Sequence, residues 1–208
     1  SVKYVENKNA AANLVLNINT DSSLYQLKKA EFSVENLLFD MEGQYSNKQD
    51  SSIINLNIKG RNIDLQTAFS IFPKEYFAAL SEYKASGMIL FETRIAGLIS
   101  KESSPKIISD FTLSNGSITE KTTGAHLNQL SLEGHFESRN KKNKEEITFK
   151  NINGVLETGM IKGNILVSNF ENPYVEADLS GKLSMVKIKQ FINSGKIETL
   201  DGNASFEV

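Results

Sequence analysis

The chain has no cysteine and no tryptophan, and among its 208 residues only two are histidine and three are proline. The missing thiol excludes a disulfide framework, a zinc ribbon and a cysteine nucleophile. Two histidines leave little room for an imidazole-based metal site. Pro73, Pro105 and Pro173 are too scattered to form a proline-rich linker. No run approaches the roughly 18 apolar residues of a membrane-spanning helix. Residues Ser1 to Leu14 lack the basic and apolar regions of a secretion signal. An excess of one charge is missing too: 23 Lys and Arg stand against 25 Asp and Glu, a net of -2. A nucleic-acid binder needs a basic surplus to displace counterions from phosphate, so the balance argues against that function. Glycine-rich nucleotide loops and a nucleophile elbow are absent as well.

What is present is alternation. In Asn13-Leu14-Val15-Leu16-Asn17-Ile18-Asn19, the residues Leu14, Leu16 and Ile18 fall on one face and the asparagines on the other. This is the period of a half-buried strand. Phe32 and Val34, then Leu37, Phe39 and Met41, then Ile54, Leu56 and Ile58 repeat it. Further strands are expected at Met88–Ile95, Ile107–Leu113, Leu127–Phe136, Glu146–Phe149, Gly154–Thr158, Gly163–Ser168, Tyr174–Leu179 and Lys182–Met185. Asn115-Gly116 reads as a hairpin turn between two of them. Many short strands at regular spacing predict a mainly β, antiparallel protein.

Two stretches change period. From Asp64 to Lys84 the apolar residues follow helical spacing, with Asp64 as N-cap and Pro73 dividing the run. Val186 to Asn193 is a second, shorter helical stretch. Each follows a similar strand, Ile54–Gly60 in one case and Val175–Gly181 in the other. Each precedes a second match, Lys84–Glu92 and Thr199–Glu207. Phe39–Tyr45 and Leu130–Phe136 form a weaker third pair. The pattern predicts two related units, about 30–115 and 125–208, within a single β-rich segment of a longer protein, with two short amphipathic helices capping the sheet.

Ile63-Asp64-Leu65 through Phe72-Pro73-Lys74-Glu75-Tyr76, Tyr83 to Gly87, Ile95-Ala96-Gly97, Pro105-Lys106-Ile107, Phe111 to Gly116 and Val175 to Ile192 resemble the AsmA-like family of Gram-negative envelope proteins. The resemblance covers most of residues 54–208. It implies an antiparallel sheet curled into a taco-like β-groove, an apolar lining, and phospholipid moving along it. It also implies a periplasmic location, an inner-membrane anchor outside this segment, and a role in outer-membrane lipid assembly.

The alternating strands supply candidate lining residues: Leu56, Ile58, Phe91, Ile95, Phe149, Val167, Leu179 and Met185. A phospholipid carries roughly 30 acyl methylenes, and leaving them in water costs on the order of 20–25 kcal/mol. A continuous apolar strip offsets most of that and needs no catalytic group, metal or cofactor. Periodicity tells which residues share a face; a closed core would give the same pattern. The rival readings are a structural or protein-interaction β-module of the envelope, with an exposed edge strand recruiting a protein partner, and a polysaccharide-active enzyme. The lack of tryptophan and a total of 6 tyrosines weigh against the enzyme. Asp40 and Glu42, two apart on one strand face, read as solvated carboxylates. His126 and His135 are an odd nine residues apart, which places them on opposite faces of an unbroken strand and predicts no shared metal. The basic cluster from Arg139 to Lys144 reads as a solvated hairpin tip, with anionic lipid headgroups as the alternative partner.

Overall fold

A computed structural model describes residues 8–48, 50–67, 82–138, 145–156, 159–170, 172–184, 186 and 203–207. They form eleven strands: β1 (Ala10–Asn19), β2 (Leu24–Val34), β3 (Leu37–Lys48), β4 (Ser51–Asp64), β5 (Tyr83–Ile99), β6 (Lys106–Glu120), β7 (His126–Glu137), β8 (Glu146–Leu156), β9 (Gly159–Ser168), β10 (Tyr174–Ser184) and β11 (Asn203–Glu207). Each pairs antiparallel with the next in sequence order. The result is one curled sheet that does not close, with β1 at one edge and β11 at the other. No helix among the described residues is long and apolar enough to cross a membrane.

Two expected strand breaks, at Asn115 and Asn151, are bulges instead. Asn115 has φ 51° and lies inside β6, where the pairing with both β5 and β7 slips by one residue. Asn115-Gly116 is therefore a bend in a 15-residue strand and not a hairpin turn. Gln129 in β7 and Asn151 in β8 carry the same left-handed conformation at the next two slips. Asparagine tolerates this conformation better than most residues because its short amide can bond locally. Further slips fall at 28–29 in β2 and 61–62 in β4. An extra residue bends a strand and raises its twist, and bulges in five strands give the sheet its curl. The bulge at Gln129 also shifts parity by one, so the register puts His126 and His135 on the same face. They remain about 25 Å apart along the strand, and no cluster of metal-ligating side chains exists among the described residues.

At one end of the strands the sheet builds a small closed core. Leu65, Leu113 and Leu130 are buried there, with Ile89, Ile118, Leu127 and Ile152 packed around them. Residues 65–67 open a helical turn over this core. The backbone N–H and the hydroxyl of Thr67 both donate to Asp64 Oδ1 at 2.7 Å, which makes Asp64 the N-cap. The rest of the first expected helix, and nearly all of the second, lie outside the described residues. So does the basic cluster 139–144.

The turn from β6 to β7 is organised by Glu120, whose side chain is shut off from solvent. Its carboxylate accepts bonds from the Thr123 hydroxyl and from the N–H groups of Thr122 and Thr123. The Thr123 hydroxyl is the largest influence, and together these bonds outweigh the opposing cost of burial, lowering the pKa from 4.5 to about 2. A folded-state pKa below the unfolded one stabilises the protein above pH 4.5, and the contribution disappears as pH falls toward 2. Glu120→Gln should therefore melt at lower temperature than the parent at pH 7. That difference should narrow steadily in melts recorded from pH 5 down to pH 2. A gap independent of pH would show that the charge is irrelevant to the turn.

The segments paired in the expected repeat lie on the following strands. Ile54–Gly60 lies on β4 and Val175–Gly181 on β10, six strands apart, and Lys84–Glu92 on β5 stands six strands from β11. Phe39–Tyr45 on β3 and Leu130–Phe136 on β7 are only four apart. The third pair thus shares no offset with the first two.

Candidate functional site

Cross-strand register arranges the apolar residues in rows that run perpendicular to the strands. One row reads Ala12, Phe32, Phe39, Gly60, Phe91, Phe111, Gly134, Phe149, Ile165 and Ala177, from β1 through β10. It contains no polar residue. The next row reads Leu14, Ala30, Met41, Ile58, Thr93, Ser109, Phe136, Ile147, Val167 and Val175. Its one polar pair satisfies itself, since the Thr93 and Ser109 hydroxyls lie 2.8 Å apart. A third row runs Leu16, Leu27, Gly43, Leu56, Ile95 and Ile107. Ten strands at about 4.8 Å spacing make this apolar face roughly 45 Å long.

Phenylalanines and glycines interlock along the first row. Phe39 and Phe91 sit 6.2 Å apart, centroid to centroid, across Gly60, and Phe111 meets Phe149 edge to face at 6.1 Å across Gly134. A Cβ on Gly60 would collide with the Phe91 ring, and one on Gly134 would fall within the Phe111 ring. The glycines are seats for rings from the neighbouring strands, an arrangement that shields bare backbone and fixes the pairing.

Of the eight lining candidates, Leu56, Ile58, Phe91, Ile95, Phe149, Val167 and Leu179 all fall on this one face, and all are half-buried. Met185 lies outside the described residues. Phe32, Phe39, Phe111, Ile147 and Ile165 share the face and were missed by the sequence reading. Phe111, Ile147 and Ile165 stand two residues from, or directly opposite, residues that were chosen. Burial along β5 alternates between half-buried and exposed residues over most of its length, with Ile89, Phe91, Thr93 and Ile95 the more sheltered set. The apolar face is thus the sheltered side. Apart from the closed core at the end near Leu65, the described residues bury few apolar side chains completely. The chain exposes 14028 Å², against about 9,700 Å² for a compact monomer of its mass.

The opposite face is mixed: it carries alternating charge together with exposed apolar residues that include Leu38, Ile53, Leu90 and Leu98. Lys59 pairs with Glu92 at 3.0 Å, Arg61 with Asp40 at 3.7 Å, and Lys106 with Glu137 at 3.0 Å. His135 Nδ1 lies 2.7 Å from Asp110 Oδ1. These groups are largely exposed, and such pairs contribute at most about 1 kcal/mol each. Asp40 and Glu42 lie on this face, with Asp40 directly opposite Lys59 and paired diagonally with Arg61.

Comparison of the chain with protein-family models, with curated proteins and with solved structures finds no match.

Proposed function

We propose that this chain is a non-catalytic, lipid-holding segment of an envelope protein, in which acyl chains lie against the apolar face and phospholipid is bound or conducted along it. The observation that carries the reading is the uninterrupted apolar row across ten antiparallel strands on the sheltered side of an unclosed sheet. A face of that extent must be covered, and hydrocarbon tails match its chemistry at about 0.8 kcal/mol for each methylene withdrawn from water. The resemblance to AsmA-like proteins supports a periplasmic setting and a role in outer-membrane lipid homeostasis.

The reading is tested by purifying the chain from bacteria without detergent and extracting it for lipid mass spectrometry. Stoichiometric acyl lipid is expected. Paired Ile58→Glu and Ile95→Glu substitutions put two carboxylates on the apolar face and should cut bound lipid at least about fivefold. Thr112→Lys, on the opposite face, should leave it unchanged. A parent protein free of acyl lipid, with its far-UV spectrum intact, would overturn the proposal.

A further inference from the structure

Edge strands expose unpaired N–H and C=O groups, and proteins normally guard them with lysine, proline, a bulge or shortness. The β11 edge spans five residues. The β1 edge has none of these protections: Ala10–Asn19 is ten residues long, uncharged, free of proline, and exposed throughout. The slip between β1 and β2 inserts its extra residue into β2, leaving β1 regular. Val15 lies on the charged face opposite Lys29 and is 57% exposed; Leu38, Ile53, Leu90 and Leu98 on that face are exposed as well. On the other face Leu14, Leu16 and Ile18 are 51%, 43% and 56% exposed, whereas Ala30 beside Leu14 is buried and Leu27 beside Leu16 is half-buried.

Around Val15 the sequence is a palindrome, Asn13-Leu14-Val15-Leu16-Asn17. In an antiparallel pair, opposed residues point to the same face. Two copies of β1 related by a two-fold axis at Val15 therefore set valine against valine and leucine against leucine. Ala12 meets Ile18. Each Asn13 meets an Asn17, whose carboxamide can both donate and accept. Nothing charged is buried and both faces continue in phase. A self-complementary patch on a two-fold is the usual form of a homodimer interface.

We infer that β1 is a homodimerisation strand, and that it joins two copies of this chain edge to edge into one continuous sheet. The partner is a second copy because the match is between the strand and its own reverse. The apolar rows then run on from one copy into the other.

The experiment uses the whole chain. Sedimentation velocity should show concentration-dependent association that ends at twice the 23.1 kDa chain mass. Val15→Lys places two ammonium groups face to face across the axis and should weaken the dimer at least about tenfold, with an unchanged far-UV spectrum. The parent has no cysteine, so single cysteines report cleanly. Val15→Cys should form a disulfide-linked dimer on mild oxidation, because opposed Cα atoms lie about 4.5–5.5 Å apart. Asn13→Cys mixed with a tagged Asn17→Cys should cross-link with each other far more than either does alone. Preferential self-linking of Asn13→Cys would indicate parallel pairing and overturn the inference. So would a chain that stays monomeric at about 100 μM, or association that continues past the dimer.

Discussion

Gly163→Ala is expected to destabilise the protein by about 3–5 kcal/mol, the largest single effect of any alanine substitution in the sheet. Gly163 has φ +144°, a conformation that L side chains rarely adopt, and a Cβ there would overlap the Asp178 carbonyl oxygen and crowd the Leu179 Cα. Both obstacles are backbone atoms of β10, so no side-chain rotation relieves them. The residue sits between Ile152 of β8 and Leu179 of β10 on the apolar face. Displacing β10 would therefore open the row that supplies the proposed lipid surface. Urea denaturation measures the loss, and Gly124→Ala supplies the reference. Gly124 also has positive φ, +72°, but open space lies where its Cβ would go. It should cost only the about 1–2 kcal/mol of the left-handed backbone. Equal losses at the two sites would refute the close approach at Gly163.

The second large effect is a coupling between Phe111 and Gly134. Phe111→Ala should cost about 3 kcal/mol, because the ring covers Gly134 and packs on Phe149. Gly134→Ala alone should cost about 1–3 kcal/mol, because the new methyl group displaces that ring. With the ring removed, the methyl group has room, and alanine suits a strand better than glycine by about 0.5–1 kcal/mol. The double variant should then be more stable than the sum of the single losses predicts, by about 2 kcal/mol. A full cycle by chemical denaturation decides the matter. Additive losses would mean that ring and glycine are neighbours without being partners.

These predictions rest on features with different visibility in the sequence. The alternation of Leu14, Leu16 and Ile18, or of Ile54, Leu56 and Ile58, is a local period of two, and it correctly marks strands and their apolar sides. Asp64 was equally legible as an N-cap, because capping depends on a side chain three residues from its partner N–H. Gly60 and Gly134 lie within segments that the sequence paired as a repeat. Their role as ring seats depends on Phe91 and Phe111, which come from neighbouring strands. Asn115-Gly116 has the composition of a hairpin turn, and the local signal is the same for a bulge: a left-handed residue beside glycine. Only the continuing pairing of Ser117 and Ile118 with β5 separates the two outcomes. The histidines show the cost of missing a bulge, since a single extra residue at Gln129 reverses every facing downstream.

The sequence by itself determined that the chain is built from antiparallel strands with one oily side, without thiol chemistry and without a surplus of either charge. Those properties follow from composition and from interactions reaching a few residues along the backbone. The tertiary structure decided how the strands stand against one another: the row from Ala12 to Ala177, the rings resting on Gly60 and Gly134, the bulges that curl the sheet and the unguarded edge at β1. Register is a sum of contacts between residues distant in the chain. A slip of one position leaves every local period intact while turning each side chain to the other face.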